Sequence, residues 1–247
     1  MTRPVALDLF CGAGGASMGL YRAGFDVVGI DIKRQPRYPA FHDAEYAKHF
    51  RFVRADALNP PFDLSRFDLI WASPPCQAHT ALRTMWNAKQ HANLIPETRE
   101  LLIASGRPYI IENVPGAPVK GWVRLCGTAF GLGCDAAELR RHRLFEPSFL
   151  ALTPACRHGS GDVIGVYGGH QRNRRRVATI GIHGEGCRDA RRKHDRGVAD
   201  FTVEDGRKAM GIWWMTLAEL CEAIPPAYSE YLGKWAMRSL AKGSAAA

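Results

Sequence analysis

Short apolar runs recur along the first 115 residues, and each ends in a polar or glycine-rich step. "VALDLF" (Val5 to Phe10) runs at once into "CGAGG", and "ASMGLYRAG" then carries apolar positions at helical spacing as far as Gly24. "DVVGID" (Asp26 to Asp31), "FVRADA" (Phe52 to Ala57), "FDLIWA" (Phe67 to Ala72) and "PYIIENV" (Pro108 to Val114) read as four more strands, and "ETRELLIASG" (Glu97 to Gly106) as a helix. Strands alternating with helices predict an α/β fold, a parallel sheet with helices on both faces. Ligands of such sheets bind beyond the carboxyl ends of the strands. Here those ends carry Gly12 and Gly14, Asp31, Asp56, Cys76 and Glu112.

Beyond Pro115 the pattern changes. "LCGTAFGLG" (Leu125 to Gly133) reads as a loop with apolar anchors. "ELRRHRLFE" (Glu138 to Glu146) alternates Arg141 and Arg143 with Leu139, Leu144 and Phe145, as a strand does. From Pro147 to Glu204 the chain is rich in Gly, Arg and His, with basic blocks at Gly168 to Arg176 and Cys187 to Arg196. Lys208 to Met237 returns to core-like patterning and predicts one or two helices. The expected division is a catalytic and cofactor-binding domain (1–146), a small basic lobe (147–206) and C-terminal helices that pack back on the first domain (207–247).

Composition narrows the function classes. The 247 residues are 46% hydrophobic, enough for a core without disulfides, and the formal charge of +9 suggests a polyanionic partner, most simply nucleic acid. Seven cysteines form no regular framework, and no stretch reads as a signal peptide or membrane span, so a cytoplasmic chain with reduced thiols is expected.

The glycine turn of "DLFCGAGG" lets backbone N–H groups approach a ligand closely, and Asp31 after the next strand suits ribose hydroxyls. A dinucleotide oxidoreductase shares those features. Asp56, which suits an adenine amino group, tilts the reading toward a single adenosine. In "SPPCQ" two prolines stiffen the approach to Cys76. The sulfur is then either an aimed nucleophile or a small buried hydrophobe. Amino-group methyltransferases carry a related loop with an aromatic residue where Cys76 stands. Glu112 can hold a proton for a heterocyclic nitrogen.

In this order, "DLFCGAGG", "SPPCQ", "IIENVPG" and "RRHRLF" resemble the cytosine-C5 DNA methyltransferase family, over residues 5–146 and more loosely 207–240. The resemblance implies a Rossmann-like S-adenosylmethionine-dependent methyltransferase sheet with a small inserted basic recognition lobe. It implies catalysis by Cys76, Glu112, Arg141 and Arg143, the arginines at the O2 side of the base and nearby phosphates. S-adenosylmethionine is the implied cofactor, lined by Phe10, Gly12, Gly14, Asp31, Ile32, Asp56 and Ala57. Double-stranded DNA is the implied partner, contacted by Gln77, Arg172, Arg174, Arg175, Arg176, Arg191 and Arg192, with the target base flipped out of the stack. A monomer is expected, without a membrane and with a cognate restriction enzyme as a further partner the family allows. A tRNA cytosine methyltransferase and a catalytically silent DNA-binding relative are the alternatives. The chain departs from the family pattern at Glu138-Leu139-Arg140, where a glutamine is usual. It departs again at Cys221-Glu222, where Gly-Asn is usual. Cys156 and His158, with His183 and Cys187, are zinc-ligand types, but their spacing fits no standard finger, and no metal is expected.

Overall fold

The computed structural model describes residues 2–75, 92–135, 137–167, 179–181 and 201–244. All five strands expected before Pro115 form: β1 (Val5–Leu9), β2 (Asp26–Asp31), β3 (Phe50–Arg54), β4 (Leu69–Ala72) and β5 (Tyr109–Asn113). Helix α1 (Gly15–Ala23) follows β1, a single turn α2 (Tyr46–His49) precedes β3, and α3 (Ile95–Ala104) precedes β5. The five strands pair in parallel in the order β3-β2-β1-β4-β5.

Two further strands, β6 (Val123–Leu125) and β9 (Arg143–Pro147), extend this sheet to seven in the order β3-β2-β1-β4-β5-β9-β6. Both of their pairings are antiparallel, so the sheet is mixed where a parallel one was expected. The register explains the direction. Asn113 at the end of β5 faces Leu144 at the start of β9, so the chain enters β9 beside the carboxyl end of β5.

A second sheet has the order β11-β10-β8-β7, from β7 (Gly133–Cys134), β8 (Ala137–Leu139), β10 (Asp162–Gly165) and β11 (Thr179–Gly181). The segment expected as one strand, Glu138 to Glu146, is therefore two strands in different sheets, parted at Arg140 to His142. The second sheet draws strands from both sides of residue 146.

Three helices follow residue 202, α4 (Val203–Met210), α5 (Leu217–Glu222) and α6 (Pro226–Ser244); α4 begins before the segment read as core-like, and two helices begin within Lys208 to Met237. Gly211, at φ 67°, ends α4, and capping boxes Thr202/Asp205 and Thr216/Glu219 start α4 and α5. Helix α6 lies against α1, where a Cβ on Gly19 would strike the Ser229 hydroxyl and the Pro226 carbonyl.

Both faces of the large sheet are covered, which is why its central strands are mostly apolar, with Asp8 in β1 and Glu112 and Asn113 at the end of β5 as buried exceptions. Along β4, Leu69 and Trp71 enter one core with Leu20, Phe25 and Phe145, while Ile70 and Ala72 enter the other with Leu9, Ile30 and Ile111. The strand ends are left as the place for polar chemistry.

Candidate active site

The chain leaves β1 through a turn with left-handed backbone at Phe10 (φ 61°), Gly12 (φ 50°) and Gly14 (φ 82°). A non-glycine residue in that region is strained and persists only where its surroundings hold it. A Cβ on Gly14 would lie 2.5 Å from Pro39 Cδ and 3.0 Å from the Tyr38 ring, so both conformation and space require glycine. Above Gly12 the space is open, with nothing within 4 Å of a built Cβ. The Gly12 N–H donates to Asp31 Oδ2 at 3.0 Å, and the Lys33 N–H donates to Oδ1 at 2.8 Å. The carboxylate is thereby fixed at the rim of the turn. Ile32 beside it is 64% exposed, an apolar surface next to the acid. Asp56 accepts from the Leu58 N–H at 3.0 Å, and Ala57 is buried. The residues that the resemblance sets around a cofactor thus follow the carboxyl ends of β1, β2 and β3, with Asp31 bonded to the glycine turn.

Two supports of this turn were not anticipated. Trp214, from the C-terminal segment, donates its indole N–H to the Ala13 carbonyl at 2.8 Å. Asp8 in β1 is fully buried and accepts from the Ser17 hydroxyl. Burial pushes its pKa up to about 7 although the Ser17 hydrogen bond opposes the shift, and the charge of Asp31 adds to it.

At the next two strands, Asn113 donates Nδ2–H to the Pro74 carbonyl at 3.0 Å, a buried bond between the end of β5 and the proline pair after β4. The Ser73 N–H donates to the Leu9 carbonyl at 3.1 Å, and the Trp71 indole donates to Ser73 Oγ at 2.9 Å. Glu112 is 6% exposed and pairs with Arg143, Nε to Oε1 3.2 Å. Burial raises its pKa, and Arg143, Arg141 and the Ser73 hydroxyl oppose the rise. The result is a carboxyl group that keeps a proton more readily than a solvated one, held in place by a guanidinium.

Arg141 and Arg143 part company. Arg143 faces Glu112, but the Arg141 guanidinium is buried and donates to the carbonyls of Val166, Cys221 and Ala223, the last two at 2.7 and 2.9 Å. Burial lowers its pKa to about 10. The Tyr228 hydroxyl donates to the Arg141 carbonyl at 2.6 Å. Arg141 therefore fastens the C-terminal segment, whereas the resemblance had implied a place for it beside Arg143 at the base.

Cys76, Gln77, Arg172, Arg174, Arg175, Arg176, Arg191 and Arg192 lie outside the described residues. Both flanks of residues 76–91 are anchored, however. Pro74 is held by Asn113, and α3 is held to β9 by a two-pronged ion pair from Arg99 to Glu146, at 2.7 and 2.8 Å.

Residues 6–100 match the methyltransferase domain family. The Type II methyltransferase M.XorII of Xanthomonas oryzae pv. oryzae is 30% identical over 129 residues, covering 48% of this chain and 30% of that protein. The match thus spans less than a third of that relative's length. Among solved structures, an E. coli prophage protein described as a DNA modification methyltransferase superposes with TM-score 0.57 at 15% identity, covering 97% of this chain and 99% of that one. S. pombe Dnmt2 methyltransferase gives 0.55 at 14% identity with the same coverage. The cofactor of such a domain is S-adenosylmethionine, and the open glycine turn, the fixed Asp31 and the exposed Ile32 fit its adenosyl and amino-acid parts. Residues 6–100 match a methyltransferase domain model, and the chain has a Rossmann-like fold of the kind seen in S-adenosylmethionine-dependent methyltransferases.

Proposed function

We propose that this chain is a DNA (cytosine-5) methyltransferase. The observation that carries the reading is the Asn113–Pro74 bond, which ties the prolines preceding Cys76 to the strand that bears the buried Glu112. A thiolate and a proton-holding carboxyl on adjacent strand ends suit a six-membered ring with a carbon electrophile and a basic nitrogen.

In this reading the Cys76 thiolate adds to C6 of a flipped cytosine, and the electron pair moves onto C5. Glu112 bonds or protonates N3 and so spreads the charge that develops. Arg143 orients Glu112 and faces the O2 side. When bound, S-adenosylmethionine supplies the electrophilic methyl that C5 takes. Loss of the C5 proton and expulsion of the Cys76 thiolate restore the aromatic ring. Phe10, Gly12, Gly14, Asp31, Ile32, Asp56 and Ala57 hold the cofactor. The basic segment within residues 147–206 is the recognition region in this reading, where Arg172, Arg174, Arg175, Arg176, Arg191 and Arg192, with Gln77, contact phosphates and bases. The names of the relatives, a Type II methyltransferase and a DNA modification methyltransferase, support DNA as substrate.

The test is incubation with methyl-labelled S-adenosylmethionine and either duplex DNA or tRNA, followed by nucleoside analysis. Label in 5-methylcytosine of DNA is expected. Label on an exocyclic amine or on adenine overturns the reading, label in tRNA alone moves the substrate to RNA, and binding without transfer to either indicates a silent relative.

A further inference from the structure

We propose that Cys126, His142, Cys156 and His158 form a structural zinc site, distinct from the methyl-transfer centre. One ligand atom from each of the four lies within 4.8 Å of all the others. Cys126 Sγ is 3.2 Å from His158 Nε2, Cys156 Sγ is 3.5 Å from His142 Nε2, and the two imidazoles stand nearly perpendicular with ring centres 5.3 Å apart. A tetrahedral zinc ion with Zn–S of about 2.3 Å and Zn–N of about 2.0 Å requires ligand atoms roughly 3.3 to 3.8 Å apart. The quartet is close to that spacing, and a small inward adjustment closes it.

The ligand chemistry selects the ion. Two thiolates and two imidazoles in a compact, four-cornered arrangement suit zinc, and four protein ligands leave no open position for a substrate or water. The supporting contacts fit as well. Thr128 Oγ1 lies 3.2 Å from Cys126 Sγ and accepts from the Arg157 N–H at 3.1 Å, so its own proton is free to point at the sulfur.

The four residues come from three separated segments. Cys126 follows β6, His142 lies between β8 and β9, and Cys156 and His158 sit in the connection from β9 to β10. A bound ion would fasten that connection to the edge of the large sheet. It would also pin His142, whose neighbours are Arg141, the clamp on the C-terminal segment, and Arg143, the partner of Glu112. The site thus fixes the turn where the chain passes from one sheet to the other. The expectation of no metal in this chain is replaced here by a site of which only Cys156 and His158 stood out in the sequence. The other two residues considered there, His183 and Cys187, lie outside the described residues.

The test is metal analysis of the full-length protein purified in reducing, chelator-free buffer with added zinc. About one zinc per chain is expected, with an X-ray absorption spectrum showing two sulfur and two nitrogen neighbours. Cys126→Ser combined with Cys156→Ser should bring the zinc content to near zero. Should that double variant fail to fold, His158→Ala, an exposed position, should lower the zinc affinity at least tenfold, and the wild-type spectrum decides independently. Zinc absent after reconstitution, a spectrum with oxygen and nitrogen neighbours only, a Cys126–Cys156 disulfide in the purified chain, or full zinc retention by the double variant would each overturn the proposal. None of these readouts depends on methyl transfer, so failure here and failure of the proposed reaction are separable.

Discussion

Asn113 at the end of β5 donates a buried hydrogen bond to the carbonyl of Pro74, the first of the two prolines that follow β4 and precede Cys76. One amide thus couples the strand of the proposed acid to the proline pair that precedes the proposed nucleophile. Asn113→Ala leaves that carbonyl unpaired, at a cost of about 1–3 kcal/mol. It also frees the approach to Cys76, and a misplacement of about 1 Å is worth roughly 10²-fold in rate. Single-turnover methylation should slow by about that factor, while calorimetry should find cofactor affinity nearly unchanged. An unaltered rate would remove the positioning role.

Glu112 is expected to act in its protonated form. Burial raises its pKa and Arg143 opposes the rise, so the single-turnover rate should decline with increasing pH along a limb that reports this group. Arg143→Met removes the opposing charge and should move that limb to higher pH. Glu112→Gln should abolish the limb and lower the rate by about 10²- to 10⁴-fold. A limb that moves to lower pH in Arg143→Met would contradict the assignment.

Asp8 should make the fold less stable as pH rises. Its pKa in the folded chain is about 7, above the ordinary carboxylate value, so between about pH 4 and pH 7 the folded state keeps a proton that the unfolded state has released. The contribution is fully present below the unfolded pKa and is lost as pH passes through the folded one. Asp8→Asn should therefore gain stability relative to the native chain as pH increases across this window, by up to about 4 kcal/mol. Urea denaturation of both proteins at pH 5 and pH 8 measures it. A difference independent of pH would show that Asp8 titrates normally.

Arg141 and Arg143 should separate in their effects. Arg141→Met strips the shared donor from three backbone carbonyls and should cost about 1–3 kcal/mol for each one left unpaired, seen as a lower urea midpoint. Arg143→Met should cost less stability and more rate. The same loss from both variants would mean that the two arginines do one job.

The contrast between those arginines shows where the sequence was legible and where it was not. Strand β2 falls on Asp26–Asp31 as expected, and β1, β4 and β5 within two residues at each end, because strands covered on both faces leave mostly apolar runs bounded by glycine, proline and acids. Glu138 to Glu146 misled because its alternation suits a strand wherever it pairs. Nothing local marks that β8 and β9 pair in different sheets, or that the Arg141 guanidinium is buried on carbonyls 80 residues away. Arginine in a basic chain reads as surface charge, and only tertiary contacts reveal a buried one. The Cys126–His142 half of the metal quartet was hidden for a related reason, since its members are remote in sequence and share no short spacing. Trp214 lies in the segment with core-like patterning, and its hydrogen bond to the glycine turn could not be seen without the fold.

The central claim is that Cys76 bonds covalently to cytosine C6 during methyl transfer. Duplex DNA in which 5-fluorocytosine replaces cytosine tests it most directly, since the C5 fluorine cannot leave as the proton does. Incubated with the full chain and S-adenosylmethionine, it should give a denaturation-resistant protein–DNA adduct that peptide mapping places on Cys76 and that Cys76→Ser does not form. Methylation of ordinary DNA at an exocyclic amine with no adduct on the fluorinated duplex would contradict the account.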